Sequence, residues 1–215
     1  MRYNPVVGLG NSMDESILIE NAKEGDIDAF NKLVIIYQEQ VFNLVYRMLN
    51  DEMAAQDVAQ NTFIKSFRNI KSFRGGSFRA WLLRIATNSS YDELRQKKRH
   101  PNQPLIIVDA ESGEEMDDSI WLEDNRNLPE DNIVKKEIEQ AIQHCIDQLP
   151  KNFRAVLILV DVQGFGYQEA SQIANTPVGT IRSRLARARM RLQDCLMGFR
   201  ELLPEKFRPN SGSTQ

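Results

Sequence analysis

The sequence has few of the residues from which catalytic and metal sites are built. Its 215 residues include only two histidines, His100 and His144, and only two cysteines, Cys145 and Cys195. It has no phosphate-binding glycine loop and no group of carboxylates with histidine or lysine, so we expect no enzyme, no small-molecule substrate, no cofactor and no metal. The cysteines are far apart in sequence and lack partners at ligand spacing, which predicts neither a disulfide nor a zinc site and fits a reducing cytoplasm.

Long hydrophobic runs are also missing. No segment approaches the ~20 consecutive apolar residues that a membrane-spanning helix needs, so we expect no membrane insertion. The first residues lack the basic start and apolar stretch of a secretory signal. The alternating pattern of β-strands does not compete with helical periodicity anywhere, which predicts an all-α protein.

Charge is distributed in blocks, although the net charge is only −3. Ile64–Arg99 contains ten basic and two acidic residues, and Thr180–Arg200 contains six basic residues and one acidic residue. Between them, Asp109–Asp131 contains ten acidic residues and one basic residue. A local field of one sign attracts a polyanion whatever the charge of the whole chain, so both basic blocks are candidate nucleic-acid surfaces.

The periodicity divides the chain into two modules. Apolar residues at three- and four-residue steps predict a helical module over residues 14–100. Over residues 101–131 the period lapses and acidic residues, proline and glycine become frequent, which predicts a flexible acidic linker. Helical periodicity returns over residues 132–203. The predicted fold is therefore all-α, with two small helical modules joined by a flexible linker.

The C-terminal module has the pattern of a helix-turn-helix. A short helix over Tyr167–Ala174 leads through a turn into a long helix over Gly179–Gly198. Between Thr180 and Gln193 there are five arginines and no acidic residue, whereas a merely solvated helix face usually mixes both signs. We therefore interpret the second helix as a recognition helix for duplex DNA.

The fourth helix of the N-terminal module has a second unusual stripe. Trp81, Arg84, Asn88, Tyr91 and Arg95 recur at steps of three and four residues. Aromatic rings stack on unpaired bases, arginine binds phosphate and an amide reads a base edge, so this stripe suits single-stranded or melted DNA. The alternative is structural: Trp81 belongs to the core and Asn88 is a polar residue beside it.

Five segments together resemble a known family. Asp57–Lys65 (DVAQNTFIK), Phe73–Gly75 (FRG) and Trp81–Asn88 (WLLRIATN) resemble region 2 of the extracytoplasmic-function (ECF) sigma factors of bacterial RNA polymerase. Tyr167–Ala174 (YQEASQIA) and Pro177–Arg189 (PVGTIRSRLARAR) resemble their region 4. The resemblance covers both modules with their order and spacing.

The resemblance implies a function, partners and site residues. Such a protein binds RNA polymerase core at the β′ coiled coil and the β flap, directs it to promoters and opens promoter DNA. It typically acts in a stress response, and an anti-sigma factor often holds it inactive. Asp57 and Gln60 would face β′. The residues implied at the minus-ten element are Lys65, Phe73 and Asn88, beside the stripe Trp81, Arg84, Tyr91 and Arg95. The residues implied at the minus-thirty-five element are Thr180, Arg182, Ser183, Arg184 and Arg187.

An ordinary helix-turn-helix transcriptional regulator is the alternative. It would explain the C-terminal module, and it would favour a dimer on a palindromic site. It would leave the aromatic and basic helix before the linker without an explanation.

Overall fold

The computed structural model describes residues 12–99 and 129–201, and all the regular structure within these ranges is helical. The helices are α1 (Ser12–Glu24), α2 (Ile27–Leu49), α3 (Glu52–Asn69), α4 (Phe78–Arg99), α5 (Pro129–Asp147), α6 (Lys151–Leu157), α7 (Tyr167–Ile173) and α8 (Val178–Met197). Most of the predicted acidic linker, residues 101–131, lies outside the described residues. In the described part of the chain, every helix is too short or too polar to cross a membrane.

Helix α2 forms the centre of the N-terminal module, α1 to α4, and packs against the other three helices. It begins after Asp26, whose carboxylate accepts a hydrogen bond from the backbone N–H of Ala29 at 3.0 Å. This bond satisfies one of the amide groups that a helix start leaves without a partner. The predicted apolar stripe faces inward, and its most deeply buried members are Leu33, Val41, Leu44, Val45 and Met48.

Two further caps position α3 and α4. The Asp51 carboxylate accepts from the N–H of Ala54 at 3.0 Å, and the Ser77 hydroxyl accepts from the N–H of Ala80 at 3.1 Å. Gly75 and Gly76 precede Ser77 with φ of +93° and +88°. L-residues with a side chain rarely adopt these values, so the two glycines allow the chain to reverse between α3 and α4.

The C-terminal module, α5 to α8, contains the predicted helix-turn-helix. Ala170 and Ile173 of α7 and Ile181 and Leu185 of α8 form its core and are at most 1% exposed. Helix α6 continues as a wider π-helical turn over Ile158–Val162 and then ends. The chain leaves this turn through Gly164, at φ +75°.

The two cysteines form a disulfide, which the sequence interpretation did not expect. Cys145 in α5 and Cys195 in α8 are bonded, with 5.7 Å between their Cα atoms. The prediction from sequence spacing was wrong because the chain between the two cysteines, which are 50 positions apart, folds back on itself, and α5 then packs against the last turns of α8. Two cysteines that are far apart in the sequence can therefore lie within bonding distance in the folded chain.

The two modules pack against each other through a polar contact at the end of α2. Gln143 Nε2 donates to the carbonyl of Arg47 at 3.3 Å, and Arg154 Nη1 donates to the carbonyl of Met48 at 2.6 Å. Arg154 also lies 3.3 Å from the carboxylate of Asp147. The last carbonyls of a helix lack partners within it and attract positive charge. We call this contact, formed by Gln143, Asp147 and Arg154 on the end of α2, the clasp.

A second contact between the modules involves Gln163, just after the π-helical turn. Its side-chain oxygen accepts from Gln40 Nε2 at 2.9 Å, and its backbone oxygen accepts from Arg79 Nη2 at 2.5 Å. The guanidinium of Arg79 also lies 4.2 Å from the ring centroid of Phe165. Gln40 and Gln163 are both almost completely buried, so this contact excludes water.

Candidate nucleic-acid interface

A pocket opens between α3 and the outer face of α4. It has a volume of about 310 Å³ and is lined by Lys65, Asn69, Ser72, Trp81, Ile85, Asn88, Ser89 and Asp92. Lys65 Nζ donates to the hydroxyl of Ser89 at 3.0 Å, which holds the ammonium group against the pocket wall. An aromatic ring, an amide and a cation thus meet in one concave site, as recognition of an unpaired base requires.

Three predicted minus-ten residues, Lys65, Trp81 and Asn88, line this pocket together. Asn88 is exposed and Trp81 is half-buried, with its ring in contact with the core. Both interpretations of Trp81 therefore apply, since one side of the indole packs inward and the other lines the pocket.

Phe73 lies beneath the pocket rather than in it. It is 6% exposed, and its ring centroid lies 5.5 Å from that of Phe78 and 5.6 Å from that of Trp81. Lys23 Nζ lies 5.4 Å from the same ring. In this arrangement Phe73 supports Trp81 from the core side.

The remaining residues of the α4 stripe have different environments. Arg84 is exposed, and Arg95 is exposed and paired with Asp92 one turn earlier. Tyr91 is half-buried, and its ring centroid lies 6.0 Å from Lys151 Nζ of the other module. Burial raises the pKa of Tyr91, and the positive charge of Arg184 acts in the opposite direction. Tyr91 therefore faces the C-terminal module.

The candidate core-binding residues lie away from the pocket. Asp57 and Gln60 are both exposed, one turn apart on α3. Ala55, Val58 and Ala59 hold the opposite side of this helix in the core. The exposed side is therefore available as a polar docking face.

The recognition helix α8 is fixed on α7 by its apolar side, which leaves the polar side outward. Arg182 and Arg187 are exposed, and the guanidinium of Arg182 lies 5.6 Å from the ring centroid of Tyr167. Arg184 is half-buried, and its Nη1 lies 3.5 Å from the hydroxyl oxygen of Thr176 in the turn. These arginines stand on the first turns of α8, where a recognition helix meets base edges.

The other predicted polar residues of α8 make local contacts. The Ser183 hydroxyl donates to the carbonyl of Thr180 at 3.1 Å, and Thr180 is half-buried. Arg189, further along, pairs with Asp161 at 2.5 Å, and this hydrogen bond raises the pKa of Arg189. Arg189 is therefore partly neutralised within the protein, whereas Arg182 and Arg187 keep their charge toward solvent.

Sequence reasoning missed some residues of the pocket. Asn69 lies four residues after Lys65, and Asp92 lies four residues after Asn88, so each shares a helix face with a residue that had been identified. This four-residue spacing is the signal from which Asn69 and Asp92 could have been predicted. Ser72 and Ser89 gave no comparable signal, because their place depends on how α3 and α4 pack.

Comparisons with known proteins identify both modules. Residues 33–100 match the family model for Sigma-70 region 2, and residues 139–192 match that for Sigma-70, region 4. The chain is 38% identical over 180 residues to the RNA polymerase sigma-H factor of Pseudomonas aeruginosa, covering 83% of this chain and 92% of the relative. It is 36% identical over 190 residues to the ECF RNA polymerase sigma-E factor of Haemophilus influenzae, covering 86% and 97%.

Two solved structures share the fold. CnrH, solved in complex with the cytosolic domain of CnrY, matches with a TM-score of 0.62 and 22% identity over 85% of this chain and 97% of that chain. The sigma factor RpoE of Bartonella quintana, solved in complex with the anti-sigma factor NepR, matches with a TM-score of 0.58 and 26% identity over 79% and 98%. Both likenesses confirm the predicted all-α fold.

The fold and its two candidate sites define a two-module DNA-binding protein of the Sigma-70 class. The chain belongs to the ECF family of RNA polymerase sigma factors, because it is 36% and 38% identical to two such proteins over 190 and 180 aligned residues, which cover most of this chain. This confirms the family that the sequence motifs indicated. Sigma factors are not enzymes, and their function is promoter-specific initiation of transcription.

Proposed function

We propose that this chain binds RNA polymerase core, directs it to specific promoters and opens them, with the N-terminal module at the minus-ten element and the C-terminal module at the minus-thirty-five element. The observation that carries the proposal is the presence, in one chain, of a pocket with an aromatic, an amide and a basic side chain on a basic helix, and of an arginine-rich helix-turn-helix. An ordinary regulator needs only the second of these.

The pocket accounts for strand opening. Trp81 offers a ring on which an extruded base can stack, and such stacking contributes about 1–3 kcal/mol per base. Asn88 offers both a donor and an acceptor to the exposed base edge. The Lys65 ammonium and the exposed Arg84 add charge for the phosphates that flank the base. Binding an unpaired base more tightly than a stacked one shifts the DNA toward the melted state.

The recognition helix accounts for binding the upstream element. Arg182, Arg184 and Arg187 are placed to contact base edges or phosphates in the major groove, with Thr180 and Ser183 on the same side. A bidentate contact between arginine and guanine contributes about 1–3 kcal/mol of discrimination. Phosphate contacts contribute affinity without sequence preference.

The protein partners follow from the exposed face of α3 and from the relatives. Asp57 and Gln60 would contact the β′ coiled coil of the core enzyme, and the C-terminal module would contact the β flap. An anti-sigma factor would hold the protein inactive, as NepR is bound to RpoE of Bartonella quintana.

Run-off transcription with purified core enzyme tests the proposal. A pool of promoter fragments from the source genome should yield start sites only when this chain is added. Arg184→Ala should then weaken binding of a duplex minus-thirty-five fragment by about 1–3 kcal/mol, if Arg184 reads a base. Asn88→Ala should leave this binding unchanged and impair opening, as followed by permanganate reactivity of unpaired thymines.

Other outcomes would contradict the proposal. Equal effects of the two substitutions on closed duplex binding would contradict the division of labour between the modules. A chain that binds DNA as a dimer and ignores core enzyme would instead be an ordinary helix-turn-helix regulator.

A further inference from the structure

The closed packing of the two modules brings together residues that belong to different promoter elements. Tyr91 of α4 lies close enough to Arg184 of α8 for the guanidinium charge to act on its pKa, and its ring faces Lys151. On duplex DNA, elements centred at minus ten and minus thirty-five are about 25 base pairs apart, or roughly 85 Å. Given the proposed function, the two modules must therefore separate before both elements can be bound.

The clasp is one of two polar contacts that resist this separation, the other being the contact at Gln163. Gln143 is 6% exposed and both donates to and accepts from Arg47, at 3.3 and 3.1 Å. The clasp residues Gln143 and Asp147 both lie on α5. Cys145 lies midway between them in sequence and is fully buried. Its disulfide ties this segment of α5 to Cys195, at the end of the recognition helix.

The disulfide adds a covalent link to the non-covalent contacts of the described part of α5. Ala141 and Ile146 are buried beside the bond, Ile142 packs against the core, and the ring of His144 lies 5.7 Å from that of Phe199. The bond closes a loop of fifty residues, and such a cross-link restricts the unfolded segment strongly. Loss of the bond therefore loosens the helix that presents Gln143 and Asp147 to α2.

We propose that Cys145 and Cys195 form a thiol–disulfide switch that controls the separation of the modules. The oxidised form holds α5 on α8 and keeps the clasp on α2. The reduced form releases α5, weakens the clasp and lets the modules separate to engage core enzyme and promoter. Disulfides in compartments where transcription occurs are usually transient and redox-sensing, and this bond joins the only two cysteines of the chain.

The chemistry is ordinary thiol–disulfide exchange. A thiolate of a small thiol or dithiol reductant attacks Sγ of Cys195, which is partly exposed, whereas Cys145 is not. The S–S bond breaks, a mixed disulfide forms at Cys195, and Cys145 leaves as a thiolate that takes up a proton. A second thiol of the reductant then releases Cys195 as a thiol. The protein gains two electrons and two protons, and the reductant becomes a disulfide.

The test compares the full-length chain in buffer with and without dithiothreitol. Fluorophores attached through unnatural amino acids at Gln56 and Gln193, both exposed, report the distance between the modules by energy transfer. Hydrogen exchange followed by mass spectrometry reports on α5. The matched control is Cys195→Ser, which cannot form the bond and should behave as reduced in both buffers.

On treatment with dithiothreitol we expect the mass of the oxidised protein to rise by two hydrogen atoms. Amide exchange in residues 139–147 should become about tenfold faster than in the oxidised protein, and energy transfer between the two labels should fall. Binding to purified core enzyme should become severalfold faster. Two free thiols under oxidising conditions, or unchanged exchange and energy transfer after reduction, would overturn the switch. If reduction opens the modules but no promoter is used in either state, the switch stands and the proposed function fails.

Discussion

Arg154 offers a direct test of the clasp. It reaches from α6 to the end of α2, where Nη1 donates to the carbonyl of Met48 at 2.6 Å. Its Nη2 donates to the carbonyl of Asp147 at 2.5 Å, and the two side chains form an ion pair at 3.3 Å. Arg154→Ala removes all three interactions at once and leaves both carbonyls and the carboxylate without this donor.

The size of the effect follows from burial. The side chain of Arg154 is 12% exposed and that of Asp147 is 21% exposed, so water replaces the lost donor only in part. Burial lowers the pKa of Arg154 and raises that of Asp147, which shows that desolvation offsets some of the attraction. Breaking such a pair costs about 3–5 kcal/mol when it is fully buried. With partial exposure we expect about 2–4 kcal/mol in total. Only the bond to the Met48 carbonyl crosses between the modules, and a hydrogen bond from a charged group contributes about 1.5–3 kcal/mol, so we expect a shift of roughly 10- to 150-fold toward separated modules.

Energy transfer between the labels at Gln56 and Gln193 measures this shift without DNA or polymerase. Urea unfolding of the same variant measures how much of the loss falls on the C-terminal module itself, since the bond to the Asp147 carbonyl lies within that module. Arg68→Ala is the matched control, because Arg68 is an exposed arginine of α3 away from the clasp. It should change neither measurement beyond about 0.5 kcal/mol.

One result would refute the reasoning. If Arg154→Ala lowers stability to urea but leaves the energy transfer of the folded protein unchanged, the arginine supports α6 and α5 only. The packing of the modules would then depend on the contact at Gln163, and the clasp would have no part in it.

Four further predictions follow from the structure. Asp51→Ala should destabilise the N-terminal module by about 0.5–2 kcal/mol in urea unfolding, whereas Asp51→Asn should keep the bond to Ala54 and lose much less. The hydrogen bond from Lys97 lowers the pKa of Asp51. The modest contribution of this carboxylate to stability should therefore be present above the ordinary pKa of 3.8 and disappear as the pH falls below that value. An Asp51→Asn variant that loses stability over the same acid range as the wild type would contradict this. Burial raises the pKa of Asp147. The free energy of unfolding of the wild type, relative to that of Asp147→Asn, should therefore increase as the pH falls through the raised pKa. If the difference between the two free energies does not change with pH, the carboxyl is not desolvated. Arg187→Ala should reduce the salt dependence of DNA binding by about one unit of slope if Arg187 contacts phosphate, and an unchanged slope would exclude that contact.

Local sequence was sufficient for the helices and their starts. Asp26 and Ser77 have side chains typical of helix caps, and each accepts a hydrogen bond from the backbone N–H three residues later. The apolar residues at helical spacing in the predicted helix-turn-helix are buried between its two helices. These features depend on residues within three or four positions of each other, so a single pass along the chain is enough to find them.

The candidate site was only partly predictable. The three- and four-residue steps placed Trp81 and Asn88 on one face of α4, and the family motif added Lys65 from α3. Whether a pocket lies between these helices depends on their packing, which also decides that Phe73 supports the pocket from below. Packing of this kind is set by many side chains at once and leaves no signal in the local pattern.

By itself, the sequence determined the helical class of both modules, the two basic surfaces and the family motifs, since each is encoded in short-range spacing or in composition. The tertiary structure alone decided three features: the bond between Cys145 and Cys195, the clasp on the end of α2, and the position of Tyr91 against the recognition helix. Each joins groups at least fifty residues apart in the sequence. Such contacts arise only when the chain folds, and the periodicity of the sequence does not predict them.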